Sequence, residues 1–311
     1  MRIQLFLLLC CCVMNLFASD PEVQEIDQRI EKQTKLRVGA WCLVPWNGGY
    51  STAEILQIEG DTTKVRVFDH SLPVSDWPVK MFHSDDLERL IHQKHESLEA
   101  LVECLKQNQT LRSSEIEKAL YAIDRACFAP RHPYFDTAID IEKGMCISSP
   151  HMHVSCLELV KDQFNDATAI LDVGTGTGFM AAMFAFLAPQ AEVTGIEYFK
   201  ELTELAKNNC QILDEEIQSR LHWVTGDGKA GHLEGAPYDV IHVGFMCKNI
   251  PQVLLDQLKP GGKMIIPVGS RVSFYDSRLC GGSLFLIEKD PDGSFHLFRV
   301  FGCSYVPALN M

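Results

Sequence analysis

The sequence predicts an α/β fold: a doubly wound, mostly parallel sheet preceded by a small β-barrel module. Three observations carry this reading. β-Branched and aromatic residues alternate with turn signals from Leu36 to about Phe82. Beyond Pro130, strand-like and helix-like segments alternate, a pattern that places parallel strands in one sheet with helices on both faces. Three glycines stand where the first such strand meets its helix, in Leu171-Asp172-Val173-Gly174-Thr175-Gly176-Thr177-Gly178-Phe179.

A chain of 311 residues with 46% hydrophobic content can bury one large core and still supply a second module. Its formal net charge of −13 excludes a binder of phosphate backbones, which needs Lys and Arg to neutralise phosphates. Small molecules or proteins are the expected partners. Met1-Arg2 and the apolar run 3–18 read as a hydrophobic leader over 1–19. Neither Ala18 nor Ser19 has a small residue two positions before it, and the run is shorter than the roughly 20 residues that span a bilayer. A cleaved signal, a weak anchor and an upstream start all remain open. Beyond the leader the cysteines form an odd set without paired spacing, which points to reduced thiols and a cytoplasmic protein; a working signal would place the chain in the secretory pathway instead. In that case Asn108-Gln109-Thr110 would become a glycosylation acceptor.

The elements follow in order. Residues 20–35 are polar and acidic, as in a linker or a short exposed helix. The barrel occupies 36–90, with strands at 38–44, 52–58 and 64–68 and turns at Asn47-Gly48-Gly49 and Gly60-Asp61. Leu87, Leu90, Ile91, Leu98, Leu101, Val102 and Leu105 share one helical face and predict a connector helix. Ser114 and Glu117 have the spacing of a capping box and predict the start of a second helix, which stops before Pro130. Strands are predicted at 169–173, 192–196, 221–225, 238–243 and 263–268, with helices at 179–187, 200–213 and 251–258. Lys259-Pro260-Gly261-Gly262 reads as a turn, and 283–288 with 294–301 as a closing hairpin.

Gly174, Gly176 and Gly178 lie between a buried strand and a helix, where the backbone must turn sharply and approach a ligand. The Gly-x-Gly-x-Gly spacing is tighter than the dinucleotide fingerprint, as suits the uncharged linkage of a nucleoside joined to methionine. Glu197 follows at about the 20-residue offset of a carboxylate that binds ribose hydroxyls. Asp172 can hold an ammonium, and Asp227-Gly228 can close over an adenine, with the acid accepting from an exocyclic amine. Glycine turns and turn-capping aspartates also occur without a ligand.

At these residues the chain resembles the protein-L-isoaspartate (D-aspartate) O-methyltransferases. The resemblance runs from about His95 to about Pro307. Its blocks are Cys146-Ile147-Ser148-Ser149-Pro150-His151-Met152-His153 with Leu157-Glu158-Leu159, the stretch 171–178, Val224-Thr225-Gly226-Asp227-Gly228 and Ala236 through Gly244. Gln257-Leu258-Lys259-Pro260-Gly261-Gly262 and Ile266-Pro267-Val268-Gly269 are also similar. The resemblance implies a Rossmann-like methyltransferase domain at 95–308 that uses S-adenosyl-L-methionine. It also implies isoaspartyl residues of damaged proteins as substrates, with D-aspartyl residues as a second class. Ser148 is implied as the catalytic residue, with cofactor contacts from Met145, Cys146, Ile147, Ser148, His153, Thr177, Glu197, Tyr198, Asp227 and Gly228. An aspartate-like carboxyl ionises near pH 4, so the acceptor needs no strong base and Ser148 serves as an orienting donor.

Two departures from the family stand out. Tyr305-Val306-Pro307 is followed only by 308–311, where the family has a longer pocket-lining segment. Phe245-Met246-Cys247-Lys248-Asn249 replaces a loop of small residues and is expected to reshape the substrate cleft. If these changes abolish turnover, the chain is a cofactor-binding adaptor.

Other readings weigh less. Cys146, His151, His153 and Cys156 could ligate zinc, but in no common spacing, so no metal is expected. Ser148 has no Gly-x-Ser-x-Gly around it to make a hydrolase nucleophile. Trp41, Trp46, Tyr50, Phe68 and Asp69 are similar to the aromatic cage of Tudor-like domains, which hold methylated side chains by cation–π contact. Asp69-His70-Ser71 departs from that family's Asp-Tyr-Gly, and barrel aromatics often serve the core.

Overall fold

The protein is described by a computed structural model over residues 41–46, 49–59, 62–67, 78–83, 88–89, 95–272 and 280–309. The predicted leader, the acidic segment 20–35, Phe68 and Asp69 lie outside the described residues, as do the side chains of Trp41, Trp46 and Tyr50.

The first elements are strands. β1 (Trp41–Trp46), β2 (Gly49–Glu59), β3 (Thr62–Val67), β4 (Val79–His83) and β5 (Glu88–Arg89) form an antiparallel sheet in the order β4-β3-β2-β1-β5. Thr63, Val65 and Val67 alternate inward along β3 while Thr62 and Lys64 face out, the period-two burial of a strand with one covered face.

The connector helix is shorter than its hydrophobic period predicts. α1 runs Leu98–Gln107, and Glu88 and Arg89 of the expected helical stretch pair with β1 instead. The hydroxyl of Ser97 fixes the start by accepting from the Ala100 N–H. The Asn108 side chain is 2% exposed and accepts from the Thr110 N–H, so the predicted glycosylation acceptor is folded inward.

α2 (Ser114–Ala122) corrects the predicted capping box, since its N-cap is Ser113 and that side chain makes no capping bond to the helix. The buried carboxylate of Glu158, from α3 (Pro150–Val160), does the capping. It accepts the Arg112 and Ser113 N–H groups, both at 2.8 Å, and the Ser113 hydroxyl. One acid thereby satisfies the helix start across 45 residues of sequence, a distance no local pattern reveals.

A short ribbon, β6 (Ile139–Asp140) with β7 (Cys146–Ile147), precedes α3. The main sheet then builds from β8 (Ala169–Val173), β9 (Glu192–Glu197), β10 (Leu221–Thr225), β11 (Tyr238–Val243), β12 (Leu258–Val272), β13 (Cys280–Lys289) and β14 (Phe295–Tyr305). Their order is β10-β9-β8-β11-β12-β13-β14. The first five are parallel and the last two turn back as an antiparallel hairpin. The intervening helices are α4 (Phe179–Leu187), α5 (Lys200–Asn209), α6 (Glu215–Ser219) and α7 (Gln252–Gln257). Side chains alternate across the sheet: Ile170, Val240 and Ile265 pack with α1 to α4 on one face, and Leu171, Ile241 and Ile266 pack with Leu254 of α7 on the other.

Several boundaries differ from expectation. α5 ends at Asn209 and gives way to a tighter turn over Cys210–Ile212, while Pro251 is the N-cap of α7 rather than its first turn. The predicted turn at 259–262 is a bulge inside the long β12. Pairing jumps from Tyr238–Leu258 to Val240–Lys263, with Gly261 left-handed at φ +84° and Lys259 Nζ on Asp239 at 2.7 Å.

Glu158→Ala would leave two backbone donors and Arg112 without their acceptor, and should cost about 2 to 3 kcal/mol in urea unfolding. Burial works against the charged carboxylate, but Arg112 and the N–H donors outweigh it and hold the Glu158 carboxyl below its usual value. Its contribution is therefore complete above about pH 5 and fades as pH falls through about 4 and below. The stability gap between wild type and variant should close over that acidic range.

Candidate active site

The chain leaves β8, moves outward through β9 and β10, then returns to β11 on the other side of β8, so the strand order reverses between β8 and β11. In open α/β sheets a ligand crevice forms at such a reversal, beyond the carboxyl ends of the strands. A cleft lies there. Gly174 and Gly176 line it after β8, Glu197 and Tyr198 at the end of β9, Asp227 and Gly228 after β10, and Gly244 and Phe245 after β11. Met145 and Cys146 of the ribbon form another wall, and residues 306–309 a further one.

The glycine turn is conformational. Gly174, Gly176 and Gly178 adopt φ of +77°, +55° and +86°, which L-side chains rarely reach. Gly178 also packs against Ala206 of α5, where an added Cβ would stand 3.1 Å from the Ala206 methyl.

Glu197 grips this turn from the next strand. One carboxylate oxygen accepts the Gly176 N–H at 3.1 Å, and the other accepts the N–H groups of Tyr198 and Phe199. Burial pushes its carboxyl above the ordinary value, against the pull of those three donors. The oxygen bonded to Gly176 keeps acceptor capacity toward the cleft, as a ribose hydroxyl requires. Asp227 caps a short turn by accepting the Lys229 N–H and remains half exposed at the rim.

Asp172 differs from its predicted role. It is 1% exposed, and both oxygens are engaged: one by the Thr175 hydroxyl at 2.6 Å, the other by His242 Nδ1 at 2.7 Å. It anchors the turn from beneath and does not face a ligand ammonium. Ile147, Thr177 and Gly178 likewise sit behind the cleft wall. The Thr177 hydroxyl is buried and has no hydrogen-bond partner among the described residues.

Ser148 lies between β7 and α3, half buried, directly after Cys146 and Ile147. Its carbonyl accepts from Arg125 at 2.7 Å. His153, predicted as a cofactor contact, is 6% exposed and points its Nδ1 at the same guanidinium, 3.2 Å away. Burial, with Arg125 nearby, holds His153 well below its usual value, so the neutral ring accepts this bond. Among the described residues no cluster of metal-ligating groups forms; His151 bonds Asp136 and His153 bonds Arg125.

Phe245 and residues 306–309 both fall on the cleft. The Phe245 ring rests against two cleft glycines: an added Cβ would stand 2.7 Å from it at Gly174 and 3.3 Å at Gly228. Met246 donates to the Val306 carbonyl and accepts from the Ala308 N–H, and Lys229 Nζ donates to the Leu309 carbonyl at 2.8 Å. Residues 306–309 thus line the pocket themselves. Arg125 is a site element that the sequence reading did not assign. An arginine between Asp124 and Ala126 carries no pattern that marks it as buried.

The family model for protein-L-isoaspartate(D-aspartate) O-methyltransferase matches residues 96–311, more than half of the chain. The chain belongs to this family. A protein-L-isoaspartate O-methyltransferase of Triticum aestivum is 39% identical over 214 residues, covering 67% of this chain and 89% of that protein. Protein-L-isoaspartate O-methyltransferase 1 of Arabidopsis thaliana is 36% identical over 216 residues, covering 67% and 89% respectively. Among solved structures, a protein-L-isoaspartate O-methyltransferase aligns with TM-score 0.55 at 28% identity, over 68% of this chain and 66% of that one. A beta-aspartate methyltransferase of Plasmodium falciparum, solved with S-adenosyl-L-homocysteine, aligns with TM-score 0.61 and 24% identity, over 70% of this chain and all of that one. That second likeness shows the fold: the Rossmann-like, mostly parallel sheet predicted from the sequence.

The Asp172–His242 bond has a pH signature. Burial alone would lower the imidazole, but hydrogen bonds to Asp172 and Cys156 raise it to about 10. A raised folded value stabilises fully below the unfolded value of about 6.5 and is lost as pH climbs through the folded one. The melting-temperature advantage of wild type over His242→Gln should be full below about pH 6.5, shrink steadily above it and be largely gone by about pH 10.

Proposed function

We propose that this chain transfers a methyl group from S-adenosyl-L-methionine to the carboxylate of L-isoaspartyl residues in damaged proteins or peptides, with D-aspartyl residues as a second substrate class. The observation that carries this reading is the cleft itself. The glycine turn, Glu197 and Asp227 share it with Met145 and Cys146, which lead straight into Ser148. The residues suit the donor: Glu197 offers a buried acceptor, Asp227 an acid at the rim, and left-handed glycines allow close backbone approach.

S-Adenosyl-L-methionine supplies, when bound, a methyl group on a cationic sulfonium. The chain's task is to hold donor and acceptor in line and keep water out, because opposite charges cancel as the methyl moves and a dry site favours that step. Phe245, Val306 and Pro307 supply apolar wall. Among the described residues the Ser148 hydroxyl makes no hydrogen bond, so it can donate to the acceptor carboxylate. No base is required, since that carboxyl is ionised at neutral pH.

The same proposal extends to organisation and setting. We read 1–19 as a leader, 36–90 as an SH3/Tudor-like module that recruits protein substrates, methylated ones among them, and 95–308 as the methyltransferase domain. Cys127, Cys156, Cys210, Cys247 and Cys280 are free thiols, which supports a cytoplasmic setting. Among the described residues no helix is long and apolar enough to cross a membrane.

A methanol-release assay should show methylation of an isoaspartyl peptide and none of its aspartyl twin; binding of the donor without turnover would instead mark a cofactor-binding adaptor. Ser148→Ala should lower turnover about 100-fold while leaving S-adenosyl-L-homocysteine affinity within about twofold. Glu197→Ala should weaken that affinity at least tenfold by calorimetry, the loss of about one charged hydrogen bond. Asp172→Ala should weaken it too, through the turn it anchors.

A further inference from the structure

The geometry points to Arg125 as the positioning residue of the Ser148 segment, an inference that rests on the functional reading above. Ser148 stands where neither neighbouring element holds its carbonyl, after the two-residue β7 and before the N-cap of α3 at Ser149. One Arg125 nitrogen donates to that carbonyl at 2.7 Å, and another reaches His153 Nδ1, inside α3, at 3.2 Å. The guanidinium also lies 5.6 Å from the ring centroid of Phe179, the first residue of the helix after the glycine turn. One cation thus touches the Ser148 loop, the helix behind it and the element that begins beside the donor.

Packing alone does not account for this residue. Arg125 is 2% exposed and its Nε has no partner among the described residues, so the fold carries a buried charge that is incompletely satisfied. A methionine would fill similar space without that cost. What the guanidinium adds is a rigid fork: two donors in fixed geometry that set a backbone carbonyl relative to a helix. Burial lowers it to about 9, against Asp136 and Cys146, which still leaves it charged at neutral pH.

The next residues are held from a second side. Buried Asp136 accepts both the backbone N–H of His151 and its Nδ1 at 2.8 Å, and His151 Nε2 lies 3.3 Å from the Ser149 hydroxyl. Residues 148 to 151 are thereby clamped between Arg125 and Asp136. Among the described residues the Ser148 hydroxyl makes no hydrogen bond and can meet the acceptor, while Arg125 holds the backbone carbonyl of the same residue.

The test separates acceptor alignment from donor binding in the full chain. Arg125→Ala and Arg125→Lys should each lower kcat on an isoaspartyl peptide, by about 100-fold for the alanine, because a displacement of about 1 Å costs that much. S-Adenosyl-L-homocysteine affinity by calorimetry should stay within about twofold. Guanidinium ion at low millimolar concentration should restore part of kcat in Arg125→Ala and none in Ser148→Ala. Unchanged kcat overturns the inference, as does an equal fall in kcat and product affinity, or an absence of rescue in folded Arg125→Ala. If the alanine variant does not fold, Arg125→Lys decides by the split between kcat and affinity. Loss of turnover in wild type would instead sink the functional reading.

Discussion

A single carboxylate ties the carboxyl edge of the sheet together. Asp172, near the end of β8, binds His242 of the neighbouring strand with one oxygen and Thr175 of the glycine turn with the other. The pair lies almost wholly out of water, where an unpaired charge would be very costly. It therefore fixes how far β11 stands from the turn. Glu197 reaches the same turn from β9, so strands on both sides of β8 hold the loop that the donor must approach. A backbone restrained this way pays little further ordering entropy when a ligand arrives.

Around that frame the cleft is assembled from distant parts of the chain. Phe245 leans on Gly174 and Gly228, which accept the ring because neither carries a side chain. The loop after it pairs with the segment after β14, and that segment returns to the cleft wall. A bulky ring fills space on one side while residues 306–309, tied by Met246 and Lys229, close another.

Much of this was legible in the sequence. Strands 169–173, 221–225 and 238–243 and helix 179–187 fall where hydrophobic pattern and glycine punctuation put them, because each is decided by its own residues. Misreadings cluster where a distant partner decides. Glu158 caps α2 in place of the expected Ser114 and Glu117 box, and Glu88 and Arg89 pair with β1 although their neighbours carry a helical period. The site divides in the same way. Its glycines and Glu197 follow from spacing, whereas the burial of Asp172 depends on His242, 70 residues on, and the place of Arg125 on its reach to Ser148.

The stretch from Val306 to Leu309 has a practical consequence for anyone handling this protein. It forms part of the cleft wall, so a substitution or a label placed there would reach the pocket directly.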